Sequence, residues 1–537
     1  MSAAAAPGRR GGARGRGRTG GLYLDPFESL VLAVLTALGL GVLALLIVRV
    51  WIQGDVVTGA DGYLVADPMQ YLAWSRQVSE HGLIGNPYDL APGSASFLHP
   101  GLLLSGFLVW LGVGPAVAYL LWKPFAIGVL FTGTLLYVRR FLDRRDDRRL
   151  ALVLALFACS PVAALFGWGK IGGPGDKLTI DFITGELWNG SYLWGYLFTA
   201  IAVGLMPLAL LAYERGRGGE DPRALVGAAV AGLFVAWLQP WQGATLAIVL
   251  VGAEVVGLRR GRFVAEAVRD LLAPLVAIAI PLVYYFLLSR GDASWELAGR
   301  INDLPRWPWW ALLLGPLPLT LPALLAYRLP APDFGDVALR LWPIAALLVY
   351  FQPAGTFPFH AWQGLTLPLV VLGALALRHH LGRRSIPRWP AVAAVVVLAG
   401  IGTVYRASEL ADAIHLGRQP FFLKPGERDA LRYLDAAPEP GGVLTPVYSG
   451  IVVPAYTGRE VWIGAGSWTP DFDTRHDLTE RLFGGQLDAA RARAVVRESG
   501  ARFLYSDCHG RADIAATVKG FTDPPRRFGC ATVWRVR

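Results

Sequence analysis

The chain has 537 residues, of which 54% are hydrophobic and 17% are charged, and its formal net charge is +10. A soluble protein of this length is not expected to be so apolar, so the composition excludes a soluble globular enzyme. Apolar runs long enough to cross ~30 Å of hydrocarbon recur along the chain. We therefore interpret the positive charge as a signal of orientation in a membrane, and not of nucleic-acid binding.

Residues 1–28 form a basic tail made mostly of Ala, Gly and Arg, which has nothing to bury. We expect this tail to be disordered and cytoplasmic. The next apolar run, near 30–50, is as long as a full span, and no small-residue cleavage site closes it, so it predicts a membrane span and not a signal peptide. The following segment, 52–113, is then the first loop on the outer side.

The stretch from Asp67 to Gly101 is too polar to span a membrane and too rich in aromatic residues to be a free linker. Apolar and aromatic residues recur in its first part at roughly helical spacing, which predicts a short helix at the membrane surface. Asp67-Pro68 opens this helix, and two interpretations of Asp67 stay open. It is either the N-cap beside the positive end of the helix dipole, or a carboxylate that serves as a general base or metal ligand at the membrane–water boundary.

Residues 101–112 are apolar but short, and their position decides the orientation of the chain that follows. If they crossed the membrane, the arginine-rich loop at 139–149 would lie outside. If they only dip into the membrane or lie along it, this loop and the later basic loops lie inside, which is what the positive-inside rule selects. We therefore predict an all-α polytopic membrane protein with about eleven spans. Their approximate positions are 30–50, 115–138, 150–168, 193–213, 224–239, 241–257, 268–289, 309–326, 341–351, 364–378 and 390–405.

In this topology most of the unusual polar and aromatic residues fall on the outer side. A charge such as Lys123, early in the second span, must snorkel or be paired, and an anionic lipid head group is a natural partner. His360 would meet a phosphate when protonated, or else hydrogen-bond a carbonyl group. The candidate substrate-binding residues are Tyr71, Arg76, His99, Lys123, Asp181, Glu186, Trp188, Trp241, Gln242, His360, Trp362 and Gln363.

Two outward turns share the tripeptide Trp-Gln-Gly, at 241–243 and 362–364, and each opens a span. Tryptophan at a membrane interface is an ordinary anchor. Alternatively, the two repeats line a cavity for a sugar, because sugar faces stack on aromatic rings and sugar hydroxyls pair with amides. Both interpretations stay open at this point.

Beyond residue 405 short apolar runs alternate with helical stretches, which predicts a small α/β domain over 406–537. After an odd number of spans from a cytoplasmic N-terminus, this domain is extracytoplasmic. Cys508 and Cys530 both fall at strand ends, and an outer compartment permits a disulfide between them. The Asp-x-Asp at 471–473 resembles a metal-binding pattern of nucleotide-sugar enzymes, but such donors are not expected outside the cell, so we interpret it as a loop.

A family resemblance is carried by the first outer loop. Asp67-Pro68, Tyr71, His81-Gly82 and the run from His99 to Leu102 resemble the corresponding loop of the oligosaccharyltransferase catalytic subunit. More broadly, the chain is similar to the GT-C class of multi-span glycosyltransferases, which take a sugar from a polyprenyl phosphate on the outer face of the membrane. The resemblance implies a GT-C-like transmembrane domain at 29–405.

The resemblance also implies a second acidic position. The segment 172–180 sits where the family places its second acidic motif, so Asp176 would join Asp67 in holding a divalent cation, Mg or Mn. The chain departs from the oligosaccharyltransferases in having no Trp-Trp-Asp motif and no clear outer-loop glutamate motif. Transfer to asparagine is therefore not implied.

The function that the resemblance implies is a multi-pass glycosyltransferase of the cell membrane, surrounded by membrane lipids. It would move a sugar from a polyprenyl-phosphate-linked donor to a glycan, lipid or protein acceptor, with Asp67 as the general base. Two alternatives stay open, a non-catalytic relative that binds a lipid-linked glycan, and a transporter or flippase. Transporters usually show inverted repeats, and none is visible in the sequence.

Overall fold

The computed structural model describes residues 23–91, 93–219, 221–353, 356–381 and 388–537. Most of the predicted basic tail, residues 1–22, therefore lies outside the described residues. The last residues of the predicted tail, from Asp25 to Glu28, start the first helix. Asp25 is its N-cap and forms a capping box with Glu28.

Helices dominate the part of the chain that precedes residue 416. The first group is α1 Pro26–Gln53, α2 Ala66–His81, α3 Pro100–Trp110, α4 Pro115–Leu120, α5 Trp122–Phe141, α6 Arg145–Phe157, α7 Val162–Gly167 and α8 Pro174–Leu187. The second group is α9 Leu197–Gly216, α10 Pro222–Leu238, α11 Pro240–Arg259, α12 Val264–Gly291, α13 Ala293–Ile301, α14 Trp309–Leu314, α15 Leu317–Leu325, α16 Phe334–Phe351, α17 Thr366–Leu381, α18 Arg388–Val395 and α19 Gly402–His415. Short 3₁₀ turns lie at Asn189–Leu193, Arg217–Gly219, Ala326–Arg328 and Pro358–Trp362, and a π-helical stretch lies at Val396–Ile401.

Seven helical segments of the described chain are long and apolar enough to cross a membrane. They are Pro26–Gln53, Pro115–Phe141, Leu197–Gly219, Pro240–Arg259, Val264–Gly291, Phe334–Phe351 and Pro358–His380. These segments correspond to seven of the predicted spans, and they confirm a multi-pass membrane protein.

The other four predicted spans take different forms. The segment 224–239 is α10, a single helix of 17 residues. The segments 150–168 and 309–326 are each broken into two short helices, the second at Gly315-Pro316, and the segment 390–405 passes through the π-helical stretch. The prediction of about eleven spans therefore stays a prediction.

The predicted non-spanning segment is α3, which has 11 residues. At 1.5 Å per residue, a helix of this length covers only about 16 Å, half of what a span needs. Pro100 occupies its first turn, and the helix packs along α2, where a side chain at Gly106 would collide with Val78.

The long helices pack closely where small residues face each other. A Cβ added to Gly133 of α5 would lie 2.0 Å from the carbonyl oxygen of Gly204 of α9. Only glycine permits this approach of two backbones, a common device in membrane helix packing. The contact fixes α9 and, with it, the residues just before its first turn.

The chain beyond α19 forms the predicted α/β unit. Its strands are β2 Phe422–Leu423, β3 Val443–Leu444, β4 Phe503–Ser506, β5 Arg526–Phe528 and β6 Ala531–Arg535. Its helices are α20 Pro425–Ala436, α21 Val447–Gly450, α22 Val453–Thr457, α23 Phe472–Phe483, α24 Ala489–Ser499 and α25 Ala515–Val518. Four strands form one sheet in the order β3-β4-β6-β5, with β3 and β4 parallel and the other pairs antiparallel.

The α/β unit is tied to the segment between α1 and α2. The strand β1, Val56–Val57, pairs antiparallel with β2, so the segment after α1 continues into the C-terminal region through a sheet. The disulfide prediction is also confirmed, since Cys508 and Cys530 are bonded and their Cα atoms lie 5.1 Å apart. The domain boundaries at 28/29 and 405/406 stay predictions.

Candidate functional site

Asp67 lies in the first turn of α2 and does not cap that helix. The N-cap residue is Val65, and no side chain caps the helix amides there. The Oδ2 atom of Asp67 instead accepts a hydrogen bond from the Tyr196 hydroxyl, at 2.9 Å. The interpretation of Asp67 as an N-cap is therefore wrong.

The surroundings of Asp67 favour its protonated form. Burial raises the pKa of this carboxyl above its usual range, and the hydrogen bond from Tyr196 partly opposes this effect. The charge of His360 also lowers the pKa, and that of Glu186 raises it. Asp67, Glu186 and His360 therefore belong to one electrostatic cluster, although they come from three distant parts of the sequence.

Glu186 and His360 form the second part of this cluster. The Nδ1 atom of His360 lies 3.2 Å from Glu186 Oε1 and 3.0 Å from Gln363 Nε2. Glu186 lies near the end of α8, and His360 lies in the 3₁₀ turn before α17. The structure thus brings together three of the predicted substrate-binding residues beside the predicted catalytic one.

The two Trp-Gln-Gly repeats meet at this cluster. Gln242 donates from Nε2 to the carbonyl oxygens of His360 and Gln363, at 2.8 and 3.0 Å. The Trp241 ring stands edge-on to the His360 ring, with centroids 4.8 Å apart, and Trp362 is buried. The repeats therefore brace the loop that carries His360, a role that neither of the two sequence interpretations described.

Lys123 has a different role from the one predicted. Its ammonium group lies 2.6 Å from Asp61 Oδ2, and each side chain is only 1% exposed. The same group donates to the carbonyl oxygens of Gly39 and Leu193. The prediction that Lys123 meets a lipid head group is wrong for this structure, because its donors are taken by a buried ion pair and two backbone carbonyls.

Two other predicted ligands are structural. Arg76 joins the first outer loop to the C-terminal unit, since it pairs with Asp435 at 2.5 Å and donates to the Tyr456 carbonyl. His99 is the N-cap of α3, where its Nδ1 accepts from the Leu102 amide at 3.3 Å. Burial lowers the pKa of His99 to about 3, so it is neutral and is not a cation for a phosphate.

Two predicted aromatic ligands, Tyr71 and Trp188, are packed into the fold. Tyr71 follows Asp67 by one helical turn, and its ring stacks on Tyr119 with centroids 5.5 Å apart. Trp188 is fully buried and stands edge-on to Trp194.

The metal pair of Asp67 and Asp176 stays a prediction, and Asp176 has a backbone partner in this structure. Asp176 is half-buried, and its Oδ2 accepts from the Gly173 amide at 2.9 Å, so it caps the start of α8. Within the described ranges, no group of three or more His, Cys, Asp or Glu side chains is arranged to hold a metal ion. The carboxylate whose charge acts on Asp67 is that of Glu186.

Asp181 belongs to a separate charged cluster between α8 and α19. Its carboxylate lies 2.8 Å from Lys177 Nζ and 3.5 Å from Arg406 Nη1, and Glu409 lies near both cations. No sequence pattern pointed to a functional role for Lys177, for Arg406 or for the Tyr196 that holds Asp67. Arg406, directly after an apolar run, was the one of the three that the sequence made conspicuous.

The fold resembles those of solved membrane glycosyltransferases. It superposes on ArnT from Cupriavidus metallidurans in the apo state with a TM-score of 0.52 at 13% identity, covering 94% of this chain and 97% of that one. The same protein bound to undecaprenyl phosphate gives a TM-score of 0.52 at 12% identity, with the same coverage. The apo oligosaccharyltransferase of Archaeoglobus fulgidus gives 0.50 at 14% identity, covering 90% of this chain and 69% of that one.

No protein-family model matches the chain, and no curated protein matches its sequence. The structural similarity nevertheless confirms the predicted fold class, a GT-C-like helical membrane domain with a C-terminal α/β unit. At this level of identity the similarity defines the fold alone. The activity has to be argued from the residues around Asp67.

Proposed function

We propose that the protein is a membrane glycosyltransferase that moves a sugar from a polyprenyl-phosphate donor to a hydroxyl group of an envelope glycan, lipid or protein. Asp67 is its general base. The observation that carries this proposal is the carboxylate's environment, since it is half-buried, caps no helix and is held by one tyrosine hydroxyl. A carboxylate with a raised pKa and no fixed cationic partner is suited to proton transfer.

The reaction needs one proton acceptor and a good leaving group. The acceptor hydroxyl oxygen attacks the anomeric carbon of the sugar, and its proton passes to Asp67. The bond from the anomeric carbon to the phosphate oxygen breaks, and the polyprenyl phosphate leaves with the electron pair. Asp67 then returns its proton to water. No step of this scheme is assigned to a metal ion.

Tyr196 has a positioning role in this scheme. Its hydroxyl binds Oδ2 of Asp67, so that Oδ1 is left to receive the proton. Tyr196 precedes α9 directly, and α9 is fixed by the close glycine contact with α5. The long helices thus hold the base in one orientation.

A second candidate function is a protein with the same fold that binds a lipid-linked glycan without transferring it. The ion pair of Glu186 with His360 and the amides around it would bind sugar hydroxyls equally well in either case. The two functions differ in whether Asp67 takes up a proton during turnover. A transporter is not favoured, because the similar folds are those of glycosyltransferases.

The outer face is the proposed location of the site and of the C-terminal unit. The disulfide between Cys508 and Cys530 supports this orientation, because structural disulfides persist in oxidising compartments outside the cytoplasm. The arginine-rich stretch 139–149, which runs from the end of α5 to the start of α6, supports it as well, since such stretches remain on the cytoplasmic side.

The substitution Asp67→Asn tests the proposal. Asparagine keeps an oxygen for the Tyr196 hydroxyl but takes up no proton, so we expect a folded protein whose transfer rate is at least ~100-fold lower. The measurement is transfer of a radiolabelled sugar from a polyprenyl-phosphate donor by the full-length protein in membranes. Asp303→Asn, a change of an exposed aspartate, is the control. Full activity in Asp67→Asn would remove the proposed base.

A further inference from the structure

Arg406 is nearly buried, but its guanidinium N–H groups donate no hydrogen bond to any residue that the structure describes. Its side chain is 11% exposed, and its guanidinium lies over the Tyr63 ring, 4.2 Å from the centroid. The two carboxylates that face it, Asp181 and Glu409, are both 3.5 Å from Nη1. Its Nε is buried without a partner, and no side-chain hydrogen bond joins Arg406 to any residue that the structure describes.

Arg262 shows how this chain satisfies an arginine of similar burial. Its side chain is 10% exposed, and it donates hydrogen bonds to both Glu254 and Asp270. A buried guanidinium with unused donors is costly, so such groups are normally bonded in this way. Arg406 therefore lacks the hydrogen bonds that Arg262 has. Such unused donors are expected where an arginine binds an oxyanion that is not part of the chain.

Lys177 supplies a second cation on the same side. Its ammonium group lies 2.8 Å from Asp181 Oδ2 and 2.7 Å from Glu409 Oε1, and its side chain is 36% exposed. Glu409 therefore spans the two cations, with Oε1 on Lys177 and Oε2 on Arg406. This carboxylate already stands where an oxyanion would bind both.

Glu409 is also the member of the cluster that can leave most easily. Its side chain is 30% exposed, whereas that of Asp181 is 8% exposed. When Glu409 turns into solvent, Lys177 and Arg406 keep a net positive charge against Asp181 alone. A phosphate group can then accept from the planar guanidinium at two positions and from the ammonium at a third.

We infer that Lys177 and Arg406 form a phosphate-binding site in which the Glu409 carboxylate is a placeholder that the phosphate displaces. The ligand chemistry is a phosphate ester or free phosphate. Within the proposed function, on which this assignment builds, the ligand is the phosphate of the polyprenyl donor. The site lies one residue from the Glu186 that belongs to the Asp67 cluster, since Arg406 Nη2 is 3.5 Å from the position of a Cβ on Gly185.

If the Glu409 carboxylate occupies the phosphate site, substitutions of Arg406 and Glu409 should change the Kd for phosphate in opposite directions. Undecaprenyl phosphate is titrated into the detergent-solubilised full chain, and its Kd is taken from the ligand-induced rise in unfolding temperature. Arg406→Gln removes charge-assisted hydrogen bonds, so we expect the Kd to rise roughly 10- to 100-fold. Glu409→Gln removes the competing anion and is expected to lower the Kd.

Matched controls come from the exposed pair Glu296 and Arg300, which also forms a salt bridge one helical turn apart. Glu296→Gln and Arg300→Gln are expected to leave the Kd unchanged. Should Arg406→Gln fail to fold, Arg406→Lys is used instead. It keeps the charge but loses the planar guanidinium that donates two parallel hydrogen bonds, so we expect a Kd between those of the wild type and Arg406→Gln. Wild-type affinity in a folded Arg406 variant, or weaker binding in Glu409→Gln, overturns the site.

Inorganic phosphate is the second probe and distinguishes the source of the ligand. If the Kd values of both probes rise in Arg406→Gln and fall in Glu409→Gln, and the lipid binds more tightly than inorganic phosphate, the ligand is the lipid head group. If only inorganic phosphate follows it, the site takes a free anion, and the assignment to the donor lipid is overturned. Binding requires no acceptor, so loss of the transfer reaction with intact, Arg406-dependent binding would refute the proposed function and leave this site standing.

Discussion

Asp67, which is half-buried, differs from the buried carboxylates of Glu254 and Asp61 in what its oxygens contact. Glu254 is paired with Arg217 and Arg262, and Asp61 is paired with Lys123. Asp67 receives one hydrogen bond from a tyrosine, and within the described ranges it forms no ion pair. Glu254 and Asp61 each have a cation in contact, whereas Asp67 has none among the described residues, so Asp67 is the carboxylate suited to exchange a proton with a substrate.

The raised pKa of Asp67 predicts the pH dependence of transfer. Burial is the main cause of the shift, so the base takes up a proton above the ordinary value of ~3.9, and activity falls as the pH falls through the raised value. Tyr196→Phe removes a hydrogen bond that lowers this pKa. In that variant the acid limb of kcat/KM should move to higher pH. An acid limb that stays in place, or moves to lower pH, would contradict this assignment.

The buried ion pair of Lys123 and Asp61 predicts a large effect on stability. Lys123→Met leaves Asp61 buried without its cation, so we expect the free energy of unfolding to fall by about 3–5 kcal/mol. The double variant Lys123→Met with Asp61→Asn should recover much of the loss. The measurement is denaturant unfolding in detergent, and Arg300→Met in an exposed pair should cost at most ~1 kcal/mol. An equal loss in the single and double variants would mean that Lys123 acts through packing.

At the scale of elements, α2 carries Asp67 and depends on its contact with α3. A Cβ added at Gly106 of α3 would lie 2.4 Å from Val78 Cγ1 and 3.0 Å from the Ser75 carbonyl oxygen. Gly106→Ala should therefore push the two helices apart and cost about 1–3 kcal/mol. Gly114→Ala is a matched control, because nothing lies within 4 Å of its added Cβ. The unfolding temperatures of the two variants are compared, and equal values would show that α3 adjusts freely.

The sequence predicts these elements better than it predicts their partners. Length and hydropathy identify the seven long helices, and the shortness of 101–112 matches α3, a helix of 11 residues. Breaks within an apolar run, as at Gly315-Pro316 between α14 and α15, lower the count of long helices without changing the composition. Hydropathy alone therefore does not show where an apolar run is interrupted.

Partners across the fold were harder to predict. Glu186 and His360 are both in the predicted set, but 174 residues separate them and nothing local in the sequence pairs them. Lys123 was expected to need a partner, and its actual partner Asp61 lies in the preceding loop. Single-sequence patterns identify residues that need a partner, while tertiary packing decides which residue becomes that partner.

At the scale of the whole molecule, the C-terminal unit and the first outer loop form one continuous structure. The β1–β2 pairing, the Arg76–Asp435 ion pair and the hydrogen bond from Asn86 to the Trp468 carbonyl all join them. The two parts must therefore lie on the same side of the membrane. A single orientation of the first loop consequently fixes the side of the C-terminal unit as well.

This coupling makes the topology testable with two engineered cysteines. The sequence has three cysteines, of which two form the disulfide and Cys159 is buried, so the background of labelling is low. Arg144→Cys lies in the arginine-rich loop and Asp473→Cys in the C-terminal unit, and both positions are exposed. A maleimide that does not cross membranes should label 473 in intact cells, and 144 only after the cells are broken open, because arginine-rich loops stay inside. Labelling of 144 in intact cells would invert the orientation, place Asp67 on the cytoplasmic face and remove the basis for an outer-face donor.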